Sequence, residues 1–326
     1  MALLTAGIQA QDLHAGRLGF RARSRRMRAA DVDRARTEER SIVRTWAMRS
    51  TMHMLAAEDA AWLLPLFDGG LVADSRRRLA QLGLDDRAQE RALGVIKKAL
   101  ESDGFLGRSE LVARLGRVGI EIDAARRVHL FRLATGSRLA ILGPDRGAET
   151  LLALRREWLG EPRRHDRDAA LRELARRYVR AFAPATDTAF AGWSGLPLRD
   201  ARAGLGAIEG ELAEVRIEDE PAWAPRRGGR RAGHGVVRLI PAWDNYLMGH
   251  RERDFIAGPE NWPRIMPGGG LIRPTILVDG VAVGTWGMRR RKGSAVEVEL
   301  SPFRELDAGV EEAARAEVED IQRFEM

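Results

Sequence analysis

The order in which helical and extended patterns follow one another limits this chain more than any other feature of its sequence. A helical pattern over residues 12–28 and a short one over 31–36 precede a segment, 41–55, that is rich in branched and aromatic residues and therefore typical of β structure. Two more helical patterns follow, one opening near 57–59 and one over 73–81. The beginning of the chain is thus predicted to be helix, helix, then a β ribbon.

The same order returns in a second passage. It consists of helical patterns over 86–102, 109–115 and 123–135, and of strands over 139–142 and 150–154 joined by turn residues at 143–147. Gly104 is predicted to stop the first of these helices, and Ser109 is predicted to cap the second. Three helices followed by a hairpin are the order of a winged helix-turn-helix unit, in which the third helix enters a DNA groove.

A third passage repeats the helices and then changes character. Its predicted elements are helices over 167–182, 186–193 and 197–205, a strand over 211–218 and a Pro/Gly/Arg loop over 221–234. Strands over 236–240, 275–278, 281–286 and 295–300 and an acidic amphipathic helix over 310–324 close the chain. Asp279-Gly280 between two of these strands is a strong hairpin signal.

The predicted fold class is therefore α+β, with tandem winged helix-turn-helix units and a small β-rich C-terminal domain. We expect a first unit over 1–84, a second over 85–164, a third over 165–234 and the β-rich domain over 235–326. The 44% hydrophobic and 31% charged fractions are those of a globular chain that can bury cores of this size.

The charge balance points to a polyanionic partner. The net charge is +7, and 51 of the 54 basic residues are arginine, the side chain best suited to forked contacts with phosphate and guanine. A GC-rich genome explains the arginine bias equally well, but it does not explain the net excess of charge. Arg17, Arg21, Arg25 and Arg28 are predicted to share one face of the first helix, either solvated or facing phosphates.

The sequence excludes some kinds of functional site and lacks the motifs of several others. The chain has no cysteine, which excludes disulfides, thiolate metal sites and a cysteine nucleophile. The six histidines show no zinc spacing, and there is no phosphate-binding loop or Gly-x-Ser-x-Gly elbow, so no cofactor and no metal are expected. With neither a secretion signal nor an apolar run of about 18 residues, we expect a cytoplasmic protein without a membrane partner.

One short polar motif stands near the start of the chain, in Gly7-Ile8-Gln9-Ala10-Gln11-Asp12. Two glutamines at i and i+2 point the same way only in an extended backbone, which is expected just before a helix that Asp12 can cap. The two amides could then converge on a small molecule, a water or a base edge. On spacing alone, a polar helix entry whose glutamines satisfy backbone groups is favoured.

Three further motifs stand beside the Gln motif: Arg44-Thr45-Trp46-Ala47-Met48-Arg49-Ser50-Thr51-Met52-His53, Pro241-Ala242-Trp243-Asp244-Asn245-Tyr246-Leu247-Met248-Gly249-His250-Arg251, and Arg273-Pro274-Thr275-Ile276-Leu277-Val278-Asp279-Gly280. Together, the four motifs resemble those of a known family, the bacterial winged-helix DNA glycosylases of the AlkZ/YcaQ type. The resemblance implies tandem winged-helix units around a basic channel, and removal of N7-alkylated guanine, including interstrand crosslinks, from double-stranded DNA. It also implies that Gln9 and Gln11 form the catalytic Gln-x-Gln pair.

The N-terminus departs from that family. Its members usually carry another helix before the glutamine pair, whereas eight residues precede Gln9. Either the first unit lacks a helix, or the true start lies upstream of Met1.

DNA contacts are predicted at a further set of residues. Alternation over 49–53 would place Arg49, Thr51 and His53 on one strand face, as a lining for the lesion pocket, a clamp on a phosphate or a merely structural polar patch. The remaining candidates for DNA contact are Arg17, Arg21 and Arg25 on the first helix, Arg126, Arg127 and Arg132 on or beside the predicted groove helix, and Asp244 and Arg251. Pairing of Asp244 with Arg251 or Arg273 for structural reasons is an equal alternative.

The function predicted from these features is a monofunctional DNA glycosylase, a nucleoid-associated monomer that acts on alkylated or crosslinked double-stranded DNA. The rival hypothesis is a non-catalytic winged-helix DNA-binding protein or transcription regulator, since winged helices are commonest in that role. A regulator would prefer one operator over random duplex by about 10³-fold or more, whereas a glycosylase would bind duplex with little sequence preference.

Overall fold

The computed structural model describes residues 6–160, 166–217, 220–227, 234–251, 253–290 and 296–326. Helices and strands are mixed along the chain, so the predicted α+β class is confirmed. The chain forms two compact units, one of residues Asp33–Leu171 and one of Met1–Val32 with Arg172–Met326. The division into four units at 84, 164 and 234 stays a prediction.

The first helix is shorter than the sequence predicts. Strand β1 (Ile8–Gln9) leads into α1 (Leu13–Arg21), which Asp12 caps, and α2 (Ala29–Thr37) follows. After Arg21 the backbone tightens, with the N–H groups of Arg23 and Ser24 bonded to carbonyls three residues back at 3.1 Å, and Arg26 takes a left-handed backbone with φ of +60°. The prediction of four arginines on one helical face is therefore wrong, since Arg25 and Arg28 lie beyond the helix.

The unit Asp33–Leu171 contains most of the first two predicted passages. Its elements are β2 (Ile42–Trp46), β3 (Met52–Ala56), α3 (Ala60–Leu63), α4 (Pro65–Gln81), α5 (Asp86–Asp103), α6 (Arg108–Gly116), α7 (Ala124–Gly136), β4 (Ala140–Arg146), β5 (Glu149–Leu154) and α8 (Arg155–Leu159). Strands β2 and β3 form an antiparallel hairpin, as do β4 and β5. A shared core of buried Leu, Ile, Ala and Phe side chains joins α4 to α7 and the second hairpin.

Of the two helix-end residues that the sequence predicts in this unit, Gly104 is confirmed and Ser109 is wrong. Asp85 and Asp123 cap α5 and α7, each accepting a backbone N–H at 2.7 Å, and Gly104 ends α5 with φ of +73°. Ser109 does not cap α6, because that helix begins one residue earlier. Gly107 is the residue before α6, and its backbone N–H donates to the Glu110 carboxylate at 2.6 Å.

The second hairpin turns later than predicted. Strand β4 continues to Arg146, and the chain reverses at Gly147, whose φ of +63° suits glycine. Gly143 and Pro144 form an irregularity within the strand, between Leu142 and Asp145, instead of the turn itself.

The other unit continues from within α9 to the end of the chain. Its elements are α9 (Arg167–Phe182), α10 (Asp187–Ser194), α11 (Leu198–Gly206), β6 (Leu212–Ile217), β7 (Glu220–Pro225), β8 (Val237–Ile240), α12 (Asn245–Met248), α13 (Asp254–Ala257), α14 (Trp262–Ile265), β9 (Thr275–Val278), β10 (Val281–Arg289), β11 (Glu297–Pro302) and α15 (Ala308–Glu325). Thr186 caps α10, its hydroxyl oxygen accepting from the Ala189 N–H at 3.1 Å.

The loop predicted over 221–234 is wrong for its first half. Residues Glu220–Pro225 are a strand that pairs antiparallel with β6, with Glu214 opposite Trp223. Proline at both ends of this two-stranded ribbon is tolerated because edge strands do not need every backbone N–H. The rest of that loop at 228–233, the end of the predicted strand at 218 and the predicted strand start at Ala295 lie outside the described residues.

The β-rich end of the chain is confirmed. Strands β8 to β11 form one antiparallel sheet in the order β11-β10-β9-β8, and the predicted Asp279-Gly280 turn joins β9 to β10. Helix α15 packs against β8. In the described part of the chain, no helix has both the length and the apolar character that crossing a membrane requires.

Candidate active site

The glutamine motif lies on a tightly constrained stretch of backbone between β1 and α1. Ala6 and Gly7 both have positive φ, +54° and +129°, so the chain bends sharply before it becomes extended at Ile8 and Gln9. It bends again at Gln11 and Asp12. The extended backbone predicted for this motif is thus present at its first glutamine.

The two glutamines differ in exposure. Gln9 is 7% exposed, whereas Gln11 is on the surface. The structure brings both onto one short segment, and convergence of their amides on one water stays a prediction. An amide can both donate to and accept from such a water, but it has no useful basicity.

Asp12 caps the helix that follows, as predicted. Its backbone is extended, with φ of −95° and ψ of 129°, and its Oδ1 accepts from the Ala15 N–H at 2.7 Å. The carboxylate therefore lies at the positive end of the α1 dipole, one residue after Gln11.

Asn245 contacts the glutamine segment from the far end of the chain. Its Nδ2 donates to the Gly7 carbonyl at 2.7 Å, and its Oδ1 accepts from the Gln9 N–H at 2.9 Å. The neighbouring Asp244 forms a forked ion pair with Arg23, with N–O distances of 2.7 and 2.6 Å. Burial alone would lower the pKa of Arg23, but the Asp244 carboxylate outweighs it and raises that pKa.

An open groove of about 220 Å³ lies beside Asp12. The described residues that line it come from α1 and its cap, from the stretch after β8 and from the sheet: Asp12, His14, Ala15, Leu18, Pro241, Ala242, Trp243, Pro274, Trp286 and Met288. Two indoles and two prolines make the groove largely apolar. A groove of this kind can accept a planar ring but does not enclose a large ligand.

The structure separates the arginines predicted to bind DNA from the first helix. Arg21 is 2% exposed and pairs with Glu317 and Asp320 of α15, so it holds α1 to α15. Arg17 is half-buried on α1, and Arg25 is exposed in the turn after it. Of these three, only Arg25 lies fully on the surface, and the prediction of a DNA contact at Arg21 is wrong, because its guanidinium is already buried against two carboxylates.

The prediction that Arg49, Thr51 and His53 share one strand face is wrong. Arg49 lies in the 3₁₀ connection Met48–Ser50 with φ of +53°, and the Thr51 hydroxyl donates to the Met48 carbonyl at 3.1 Å. His53 lies on β3 and is 1% exposed, with Nδ1 3.1 Å from the Thr51 carbonyl oxygen. Burial and the nearby charge of Arg49 lower the pKa of His53 to about 3, so the ring is neutral. A buried neutral ring does not contact a phosphate.

Helix α7 carries the three arginines expected to face a groove, and they have different surroundings. Arg127 is exposed. Arg126 donates through Nε and Nη2 to the Leu82 carbonyl and through Nη1 to that of Glu121, so it ties α7 to two loops. Arg132 is half-buried, with Nη2 4.0 Å from an Asp74 carboxylate oxygen. Among the three, Arg127 presents the most accessible charge.

The last two predicted DNA contacts, Asp244 and Arg251, differ in exposure. Asp244 is 3% exposed, caps α12 by accepting from the Tyr246 N–H at 2.8 Å, and pairs with Arg23. The prediction of a DNA contact there is wrong, and the predicted structural pairing is right in kind but wrong in partner, since neither Arg251 nor Arg273 is the forked partner. Arg251 is exposed.

Sequence reasoning missed Asn245 and Arg23. Both are part of patterns that were visible, Asn245 beside Asp244 in a recognised motif and Arg23 among the arginines after α1. No spacing rule predicts their contacts, because their partners lie more than 200 residues away.

No metal centre is found among the described residues, where no group of three or more His, Asp or Glu side chains is placed to hold an ion.

Comparison with known proteins adds family evidence to this geometry. A family model described as "DNA glycosylase AlkZ-like" matches residues 4–324. A curated relative from Streptomyces sahachiroi, "Interstrand DNA cross-link repair glycosylase", is 26% identical over 340 residues, which covers 97% of this chain and 88% of the relative.

A solved structure has the same fold. The chain is similar to the "Streptomyces sahachiroi DNA glycosylase AlkZ" with a TM-score of 0.79 and 23% identity, covering 98% of this chain and 89% of that one. At that identity the likeness establishes the fold.

Proposed function

We propose a substrate class for this chain, on the premise that it belongs to the AlkZ-like DNA glycosylase family. The resemblance predicted from four motifs is thereby confirmed, and so is the prediction of an enzyme. The proposed reaction is hydrolysis of the N-glycosidic bond of N7-alkylated guanine in duplex DNA, including bulky and interstrand-crosslinked lesions. The observation that carries this proposal is the placement of Gln9 and Gln11 on the constrained segment before α1.

The chemistry suits neutral amides. Guanine alkylated at N7 is a cation, so it leaves as a neutral base when the bond from C1′ to N9 breaks and N9 takes the electron pair. Water adds to C1′, and one of its protons passes to solvent. The enzyme need not supply a strong acid, and its task is to position the water beside a sugar that becomes cationic.

The roles of the two glutamines follow from this reaction. Each side-chain carbonyl can accept a hydrogen bond from the attacking water and so orient the lone pair of that water toward C1′. Every tenfold gain in rate requires about 1.4 kcal/mol of transition-state stabilisation, so alignment of one water by two amides can account for several such factors. The Asp12 carboxylate adds negative potential near the developing cation while it caps α1.

The open form of the groove agrees with large lesions. A crosslinked base stays tethered to the opposite strand and cannot rotate freely into a closed pocket. The groove beside Asp12 is lined by Trp243 and Trp286 and is open to solvent. The name of the Streptomyces relative, an interstrand crosslink repair glycosylase, supports the same substrate class.

The test is base release from duplex DNA under single-turnover conditions. One substrate contains 7-methylguanine and a second contains a nitrogen-mustard crosslink, with unhooking read on a denaturing gel. We expect Gln9→Ala and Gln11→Ala each to slow release by about 100-fold or more while the Kd for duplex changes little, because orientation of the water is lost and phosphate contacts are kept.

The control for this experiment is Gln81→Ala, which removes a glutamine from the exposed end of α4. It should release base as the wild type does. Equal rates for the wild type and the Gln9/Gln11 double variant would remove the catalytic assignment and leave a protein that only binds DNA.

A further inference from the structure

We infer that Asn245 is a positioning residue for this glycosylase, holding the backbone of the glutamine segment so that the Gln9 side chain is aimed at the reacting sugar. The inference rests on the proposed function, because Asn245 acts through Gln9.

The contact is a two-point clamp made by one side chain. A carboxamide carries a C=O and an N–H group in one plane, as a peptide unit does. Asn245 uses both, donating to the Gly7 carbonyl and accepting from the Gln9 N–H. Two bonds from one planar group fix the orientation of Gly7 relative to Gln9, which a single bond would not. The side chain is 3% exposed, so water does not compete for either bond.

Asn245 is itself held in place by its neighbours. It is the first residue of α12, which Asp244 caps. Asp244 also holds Arg23 in a forked ion pair, just after the end of α1. Adjacent residues of one turn therefore secure the chain on both sides of α1, Asn245 before it and Asp244 after it.

Close packing of β1 on α1 also restrains the glutamine segment. A Cβ added at Gly19 of α1 would lie 2.7 Å from Cγ2 of Ile8, so β1 packs directly on the helix at a glycine. The residue next to Gln9 is thus held by packing, and Gln9 itself is held by the clamp. Little freedom is left for the backbone that carries the catalytic amide.

The expected cost of losing the clamp follows from geometry. A shift of about 1 Å in a group that aligns a reactant can lower a rate by about 100-fold. Asn245 is buried behind the segment, so its loss should affect the rate of base release and not the Kd for DNA. Loss of a purely structural bond would instead lower the melting temperature and leave the release rate of the folded fraction unchanged.

The first test compares Asn245→Ala and Asn245→Asp with the wild type in single-turnover release of 7-methylguanine. We expect rates about 10- to 100-fold lower for both near pH 7.5, with Kd values for duplex within about twofold of the wild type. An ionised aspartate keeps the acceptor for Gln9 but repels the Gly7 carbonyl. When protonated, its carboxyl group matches the amide and donates again, so Asn245→Asp should recover toward the wild-type rate as the pH falls.

The matched control is Asn261→Ala. Asn261 also uses its amide for local bonds, to the Ala257 carbonyl and the Glu260 carboxylate, but it does not contact the glutamine segment. It should release base at the wild-type rate. If Asn261→Ala slows release as much as Asn245→Ala, or if both Asn245 variants release at the wild-type rate, the positioning role is wrong.

A double-mutant cycle separates this inference from the proposed function. If Asn245 acts through Gln9, then Asn245→Ala adds little to the loss already caused by Gln9→Ala. Fully additive losses would overturn the inference while leaving Gln9 catalytic. If Gln9→Ala alone releases base normally, the proposed function is what has failed.

A readout independent of activity completes the test. Hydrogen exchange of peptides that cover residues 6–12 should be faster in Asn245→Ala and unchanged in Asn261→Ala, because the Gln9 N–H loses its buried acceptor. Equal exchange in the wild type and Asn245→Ala would show that the clamp does not hold this segment.

Discussion

Individual polar residues behave as their chemistry requires, but their partners come from elsewhere in the chain. Asp12 caps α1, as a short acidic residue before a helix should. Arg23 and Asp244 are brought together across 221 residues into a forked pair in which the carboxylate is buried and the guanidinium half-buried. Removal of Arg23 would leave the buried Asp244 carboxylate without this partner, which is destabilising. This is why Asp244 belongs to the scaffold of the site and not to its DNA-facing surface.

His53 gives the protein a predictable pH dependence. Its pKa is about 3 in the folded state because of burial, followed by the charge of Arg49, against 6.5 when unperturbed. The unfolded state therefore binds the proton more tightly, so stability is lost as the pH falls from 6.5 toward 3. We expect the free energy of unfolding to decrease by about 1.4 kcal/mol per pH unit over that range from this group alone. Urea titrations at a series of pH values measure it.

The comparison that isolates His53 is the pH slope of His53→Gln. This variant should be less stable near pH 7.5 but should lose stability more slowly on acidification. Gln81→Ala, a change at an exposed side chain that does not titrate, should keep the wild-type slope. Parallel curves for the wild type and His53→Gln would show that the ring does not titrate with the folding transition.

At the scale of elements, some helix ends and turns follow from local residues alone. Asp12 caps α1, Gly104 ends α5, and Asp279-Gly280 turns between β9 and β10. Ser109 has an equally local signal but does not cap α6. Other errors arise where a local pattern is ambiguous. Helix α1 ends at Arg21 although arginines continue the helical spacing, and β7 forms in a Pro-rich stretch because β6 offers it a partner.

Glycines on two helices should respond in opposite ways to alanine. Gly19→Ala places a methyl group against the stiff Ile8 side chain and should lower the free energy of unfolding by about 1–3 kcal/mol. Gly70→Ala, on the exposed face of α4 where a Cβ meets nothing within 4 Å, should raise it by about 0.4–1 kcal/mol. Chemical denaturation of both variants measures the pair. A stabilised Gly19→Ala would contradict the close packing of β1 on α1.

Across the whole molecule, many arginines are used internally. Arg21, Arg36 and Arg176 are paired with carboxylates within their own units. Fewer arginines can therefore reach a polyanion than the arginine count suggests, and the net charge of +7 is the better guide to long-range attraction. Arg127 and Arg251 are both exposed, and each stays a predicted DNA contact.

Binding to duplex DNA should depend steeply on salt and little on sequence. Arg127→Gln should reduce the slope of log K against log salt by about 1, if its guanidinium neutralises one phosphate. The loss of affinity should be the same for undamaged duplex and for duplex with 7-methylguanine, because phosphate contacts carry no base information. Fluorescence anisotropy between about 50 and 200 mM salt measures both quantities.

Arg199→Gln serves as the control for that experiment, since Arg199 is highly exposed but is not among the predicted contacts. Its slope should match the wild type. A strong preference of the wild type for one genomic site would instead favour a regulator.

The amino-acid sequence alone determined the mixed class, the order of helices and hairpins, some of the helix ends and the family, because each depends on neighbouring residues or on short motifs. Only the tertiary structure decided which polar residues are buried. From the sequence alone, Arg21, His53 and Asp244 are expected at the surface, and Asn245 has no evident role. Burial and pairing depend on which distant segments of the chain come into contact, and the spacing of neighbouring residues does not predict those contacts.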